Sequence, residues 1–208
     1  MANKLRKGEK DVMKLDIKSE LIPGTIMNKA QMGNVTGMEF LNKIFFITDG
    51  IMLTHIREIS GIDGSTLQNW TKRGFVSLSR MKKYNKDQLA RILIINMMRD
   101  SMQLDSISKL LTYVNGAADS PDDDIIPESE LYDYLCRVID KLVEDELPPD
   151  ATDINGLISH VLEPYVERTA GATKRLERAC GIIIMTYYAT LVRQKAHEMF
   201  EKATNVRN

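Results

Sequence analysis

Apolar residues recur along this chain at helical spacing almost throughout. Leu89, Ile92, Ile95 and Met98 mark one face, and Leu104, Ile107, Leu110, Leu111 and Val114 mark the next. Asn85, followed three residues later by Gln88, predicts a capping-box start for the first of these helices, and Asn115-Gly116 stops the second. Upstream, Ile56 and Ile59 define a short helix that Thr54 is expected to cap. Gly61-Ile62 then makes a turn. Asp63 caps a second helix running to about Arg73, with Leu67 and Trp70 facing inward and Gly74 ending it in a left-handed position. Phe75 to Tyr84 is short, basic and partly β-prone, and predicts a small hairpin. Met38, Leu41, Ile44 and Phe45 predict one more helix, stopped by Gly50. Before it, Ile22-Pro23-Gly24 and Gly33-Asn34 read as turns, and Lys4 to Lys18 as a charged terminal arm.

The second half has longer elements. Ala117 to Ile126, with Asp122-Asp123-Asp124, reads as an acidic linker. Pro127 opens a helix whose Glu128 and Glu130 suit its positive end and whose Leu131, Leu135, Val138, Ile139, Leu142 and Val143 face inward. Pro148-Pro149 separates it from a shorter helix around Ile154, Leu157, Ile158, Val161 and Leu162. Ala170 to Thr204 reads as a single helix of roughly 50 Å at 1.5 Å per residue. Leu176, Cys180, Ile183, Tyr187 and Leu191 form one stripe on it. Ile182, Ile184, Met185 and Tyr188 add apolar residues on other sides, so the helix must be covered on most faces, by a bundle or by a second subunit.

The order helix, short turn, helix, basic hairpin, helix, helix is that of a winged helix-turn-helix. The expected fold class is therefore mainly α: a winged helix-turn-helix with a small β-hairpin wing, plus a C-terminal α-helical bundle or dimerisation segment. The expected divisions are 1–50 (N-terminal arm and short helix), 51–115 (winged domain), 116–126 (acidic linker) and 127–208 (helical dimerisation and possible sensing domain).

Charge sharpens this picture. The 208 residues carry a net charge of only -1, but it is a cancellation. Residues 51–99 hold nine Lys/Arg against three Asp/Glu, and residues 117–163 hold two against fourteen. A basic module followed by an acidic one favours nucleic-acid contact by one part only. A competition of the acidic part with DNA for the basic face follows as an idea from the same split. The two cysteines, Cys136 and Cys180, make no disulfide framework and suit a reducing, cytoplasmic setting. Their apolar neighbours at helical spacing mark them as buried small side chains rather than sensor thiols. The basic residues near Met1 are followed by no apolar signal core. The longest apolar run, Ala179 to Val192, is interrupted by Gly181, Thr186 and Thr190 and is too short to span a membrane.

No chemistry-bearing motif emerges. His55, His160 and His197 have no ligand spacing, the three adjacent aspartates match no cation loop, and neither a phosphate-binding glycine loop nor a nucleophile elbow is present. The sequence therefore predicts no enzyme, no cofactor and no metal. What remains is recognition. Ser65, Gln68, Asn69 and Lys72 fall on the polar side of the second short helix, with Arg73 at its end. Gln and Asn can pair bidentately with adenine, and Ser can reach phosphate or bases. Arg80, Lys82 and Lys83 on the hairpin would meet the phosphate backbone or enter the minor groove. Trp70, spaced from Leu67 as a core residue, is not expected to stack on a base.

Several stretches, taken in order, carry a resemblance. Thr66-Leu67-Gln68-Asn69-Trp70-Thr71-Lys72-Arg73-Gly74-Phe75 stands where a "TLRYYERIGL" stretch forms the recognition helix of the mercury-resistance-regulator (MerR-like) family. Lys82-Lys83-Tyr84 matches the family's basic pair before tyrosine, and Asn85 to Leu89 its "seedl" helix start. Met102 to Leu111 matches its closing "fsLeeIkelL". Residues 53–111 thus resemble a MerR-like DNA-binding domain. Gln68 replaces the family's arginine and Asn69 its first aromatic, so its direct contacts do not transfer to those two positions. From about Ile44 to Tyr134 the chain also resembles an uncharacterised Gram-positive bacterial family that joins such a domain to a helical C-terminal part. The resemblance implies a sequence-specific transcriptional regulator binding double-stranded DNA as a homodimer through its C-terminal helices. With Gln68 in place of arginine, the alternative is a protein-interaction adaptor whose winged domain no longer binds DNA.

Overall fold

The structure, a computed structural model, describes residues 19–118, 124–144 and 154–205. The charged arm Lys4 to Lys18, the centre of the acidic linker including Asp122 and Asp123, and Pro148-Pro149 lie outside the described residues. Among those described, the chain is mainly helical with one small antiparallel sheet. The elements are α1 (Gly37–Ile44), β1 (Ile51–Met52), α2 (Leu53–Ser60), α3 (Gly64–Lys72), β2 (Lys83–Tyr84), α4 (Lys86–Met98), α5 (Leu104–Asn115), α6 (Glu128–Glu144), α7 (Ile154–Val161) and α8 (Ala172–Asn205).

The predicted caps largely form. The Asp63 carboxylate accepts from the Thr66 N–H at 2.8 Å. Asn85 and Gln88 make the reciprocal capping box, at 2.9 Å each way. Gly61 and Gly74 both adopt positive φ, at 70° and 73°. Thr54 does not cap α2. The helix starts two residues earlier than that cap would set it, with Met52 in the cap position, because Met52 belongs to β1 and leaves the sheet directly into the helix. The hairpin also differs from expectation. Only the turn Arg80–Lys83 closes within residues 75–84, through reciprocal backbone bonds of 3.1 and 2.9 Å. The outer strand comes from before α2, with Ile51 opposite Tyr84 and Met52 opposite Lys83.

The core is centred on α4. Sequence periodicity assigned it one apolar face, but Leu89, Ala90, Ile92, Leu93, Ile94, Ile95, Met97 and Met98 are all buried. It packs against α2, α5, α6 and α8. A fully buried large apolar side chain contributes about 1.5–3 kcal/mol. A surface ion pair contributes about 0–1 kcal/mol. Burial around α4 therefore outweighs the surface pairs in holding the fold.

The expected divisions do not separate cores. Ile22, ahead of α1, is fully buried, and the Tyr132 hydroxyl of α6 donates to the Pro23 carbonyl at 2.7 Å. Gly24 lies so close to α4 that a Cβ there would sit 2.4 Å from the Leu93 carbonyl oxygen. The Asn96 amide donates to both the Gly24 and Ser60 carbonyls at 2.9 Å. At the far end of the acidic stretch, Ile125 and Ile126 are core residues rather than linker. The Asn115 side chain holds the Ile126 backbone from both sides, donating to its carbonyl at 2.8 Å and accepting from its N–H at 3.3 Å. One cluster of buried side chains runs from Ile22 to Tyr187.

Candidate nucleic-acid interface

Two short helices, α2 and α3, meet through the three-residue turn Gly61 to Asp63. Ile56, Ile59, Ile62, Leu67 and Trp70 are buried beneath them, and Trp70 is 1% exposed. That fixes Trp70 as a wedge in the core and leaves the opposite side of α3 in solvent. Ser65, Gln68, Asn69, Lys72 and Arg73 are all exposed there, and so are Arg80, Lys82 and Lys83 around the tight turn.

These eight residues are not equivalent. The Ser65 and Thr66 hydroxyls both donate to the Asp63 carboxylate, and these bonds hold Asp63 far below the usual carboxylate range. Ser65 thus completes the start of α3. Arg73 is also engaged: its guanidinium donates to Asp105 at 2.7 Å and lies 4.5 Å above the Phe75 ring. It fastens the end of α3 to α5. No carboxylate among the described residues pairs with Lys72, Arg80, Lys82 or Lys83.

The turn carrying the lysines is backbone-strained. Met81 and Lys82 have φ of 48° and 63°, a region that favours Gly or Asn in two-residue turns. Met81 is 93% exposed at its tip, and Leu78 beside it is 79% exposed. Gln88 braces the segment behind the tip, donating to the Ser77 and Leu78 carbonyls at 3.1 Å.

Lys72, Arg80, Lys83, Ile47, Leu78 and Met81 are among the residues lining an open cleft of about 1360 Å³. Asp124, Glu128 and Arg168 also line it. At its floor is a feature that sequence reading missed. Arg91 of α4 is buried, forms an ion pair with the buried Glu128, and donates through Nε to the Phe75 carbonyl at 2.7 Å. Burial pushes the Glu128 carboxyl up, and Arg91 opposes that shift. Asp87 accepts from the Ser129 N–H at 2.9 Å, so two α4 side chains receive the first turn of α6. The available signal was an arginine set inside the apolar run Leu89 to Ile95.

Cys136 and Cys180 are buried as expected, and burial pushes both thiols up to about 12. That keeps them protonated and unreactive near neutral pH. No group of side chains suited to holding a metal occurs among the described residues. No helix among them is long and apolar enough to cross a membrane.

A mainly helical chain with an exposed basic turn beside two short helices is the class these features define. Residues 38–135 match a family model described as a domain of unknown function, DUF1836. The match covers just under half of the chain, from the start of α1 to the middle of α6. No curated protein and no solved structure matches the chain.

Proposed function

We propose that residues 51–115 form a MerR-like winged helix-turn-helix, and that the chain is a sequence-specific, DNA-binding transcriptional regulator acting as a homodimer in the cytoplasm. α3 is the recognition helix and the Arg80–Lys83 turn is the tip of the wing. Gln68 and Asn69 read bases in the major groove, and Lys72, Arg80, Lys82 and Lys83 hold phosphates. The observation that carries this reading is the set of four exposed cations without carboxylate partners among the described residues, set on α3 and the Arg80–Lys83 turn beside two exposed amides. Occupancy or distortion of a promoter would be the mode of action. Ser65 and Arg73, with their structural engagements, shape the helix more than they contact DNA.

One observation favours a protein-interaction adaptor instead. Ile47, Leu78 and Met81 are 89%, 79% and 93% exposed and line the same cleft. Exposed apolar side chains gathered on one surface suit a protein partner. Selection of bound duplexes from a random pool, using the purified full chain, separates the two. Enrichment of a defined motif supports the regulator. Binding of no sequence above background, at low and moderate salt, overturns it in favour of the adaptor.

A further inference from the structure

The turn Arg80–Lys83 is a two-residue hairpin end. Arg80 and Lys83 face each other across it, joined by reciprocal backbone bonds, and Met81 and Lys82 form the tip. Both tip residues lie at positive φ, where Asn-Gly is the pair that local energetics favours. Met81 stands there instead, with 93% of its surface in solvent. Cations sit on both sides of this apolar side chain: Arg80 before it, Lys82 and Lys83 after it. No carboxylate among the described residues pairs with any of them. Neither packing nor turn chemistry accounts for a methionine at this position.

A turn this short makes a narrow end, with its strands about 5 Å apart. The minor groove of B-form DNA is about 6 Å wide and walled by phosphates on both sides. The flanking cations suit those walls, and an unbranched, flexible methionine suits the floor between them. The chemistry of that floor is not uniform. A·T and T·A pairs present only acceptors there, whereas a G·C pair adds the guanine 2-amino group, a donor that projects into the groove. An apolar side chain pressed onto that amino group strands it without a partner, which weakens binding by about tenfold or more. An A·T pair leaves room for the side chain and has no donor to strand.

We infer, resting on the DNA-binding reading above, that Met81 enters the minor groove beside the bases met by α3 and selects A·T over G·C pairs there. Arg80, Lys82 and Lys83 hold phosphates, which carry no sequence information of their own. Met81 is then a specificity-determining residue separate from Gln68 and Asn69, working in the other groove. The residue that the turn itself prefers would not serve. An asparagine amide can accept from the guanine 2-amino group, and the discrimination would vanish.

Duplexes selected from a random pool by the purified full chain provide the probe. Each A·T pair of the selected site is replaced in turn by G·C and by inosine·C, and affinity is read by fluorescence anisotropy. Inosine keeps the major-groove edge of guanine but lacks its 2-amino group, so it separates reading in one groove from reading in the other. At the positions beneath the turn, G·C is expected to weaken binding about tenfold, and inosine·C to restore it to within about twofold of A·T. The variant Met81→Asn suits the turn and so keeps the fold; it should reduce the G·C penalty at those positions to about twofold or less. Failure to select any duplex overturns the DNA-binding reading, and the role of Met81 with it. A selected site in which inosine·C rescues no position overturns the minor-groove reading alone. A rescued position whose G·C penalty survives Met81→Asn overturns the assignment to Met81.

Discussion

At the residue scale, the turn Arg80–Lys83 carries backbone strain at an exposed basic tip. Met81 and Lys82 occupy positive φ, where a side chain other than Gly or Asn costs about 1–2 kcal/mol. Replacing both with the turn-forming pair, Met81→Asn/Lys82→Gly, is expected to raise stability by roughly 1 kcal/mol in urea unfolding. If the turn is the tip of a DNA-binding wing, the same change should weaken DNA binding, because it removes a phosphate-facing cation. Gain on one axis with loss on the other marks a functional turn; gain on both assigns the strain no role in binding. Lys82→Ala/Lys83→Ala carries the complementary expectation. Each lost phosphate contact lowers the slope of log K against log salt by about 0.9, so the pair should flatten it by close to two. An unaltered slope would place this turn away from the DNA backbone.

At the element scale, α4 shows where sequence reading succeeds and where it stops. Its start was legible because Asn85 and Gln88 meet through local backbone bonds. Its surroundings were not, because a helix covered on all sides loses the one-sided pattern by which a surface helix declares its inner face. Thr54 was misread for a related reason: a two-residue strand ahead of a helix leaves almost no periodic signal. The pairing of β1 with β2 joins residues some thirty positions apart, beyond the reach of local turn chemistry. Arg91 and Glu128 lie in the same blind spot, since nothing local tells a buried pair from two solvated charges. Removing one partner should reveal the difference. Arg91→Ala leaves Glu128 buried and unpaired, a loss of about 3–5 kcal/mol. Arg91→Met/Glu128→Leu should recover most of that loss. Thermal melts of the single and double variants give the comparison, and a surface-like loss below 1 kcal/mol would contradict the burial.

At the scale of the whole molecule, the boundary in charge near Asn115-Gly116 is no boundary in packing. The acidic helix α6 lies against α1 and α4, and α8 crosses both α4 and α5. A fragment ending at residue 116 would uncover the faces of α1 and α4 that α6 and α8 pack against. It is therefore expected to fail to fold alone, giving no cooperative melt and rapid proteolysis where the full chain resists. A fragment that melts cooperatively would restore an independent N-terminal domain. Composition located the change of sign correctly. It could not reveal that the two stretches share one core, because charge is a property of surfaces and the shared residues are apolar.

The fastenings of α4 have a mechanical consequence. Near its start, Gln88 and Arg91 hold the backbone of the Phe75 to Leu78 segment. Just past its end, Asp100 and Ser101 are tied to Arg193 and Thr190 of α8. The helix is a rod of 13 residues pinned at both ends, and a dense interior passes strain on rather than absorbing it. At 1.5 Å per residue the rod is about 20 Å long, so a tilt of about 5° imposed at α8 would displace the Phe75 to Leu78 segment by nearly 2 Å.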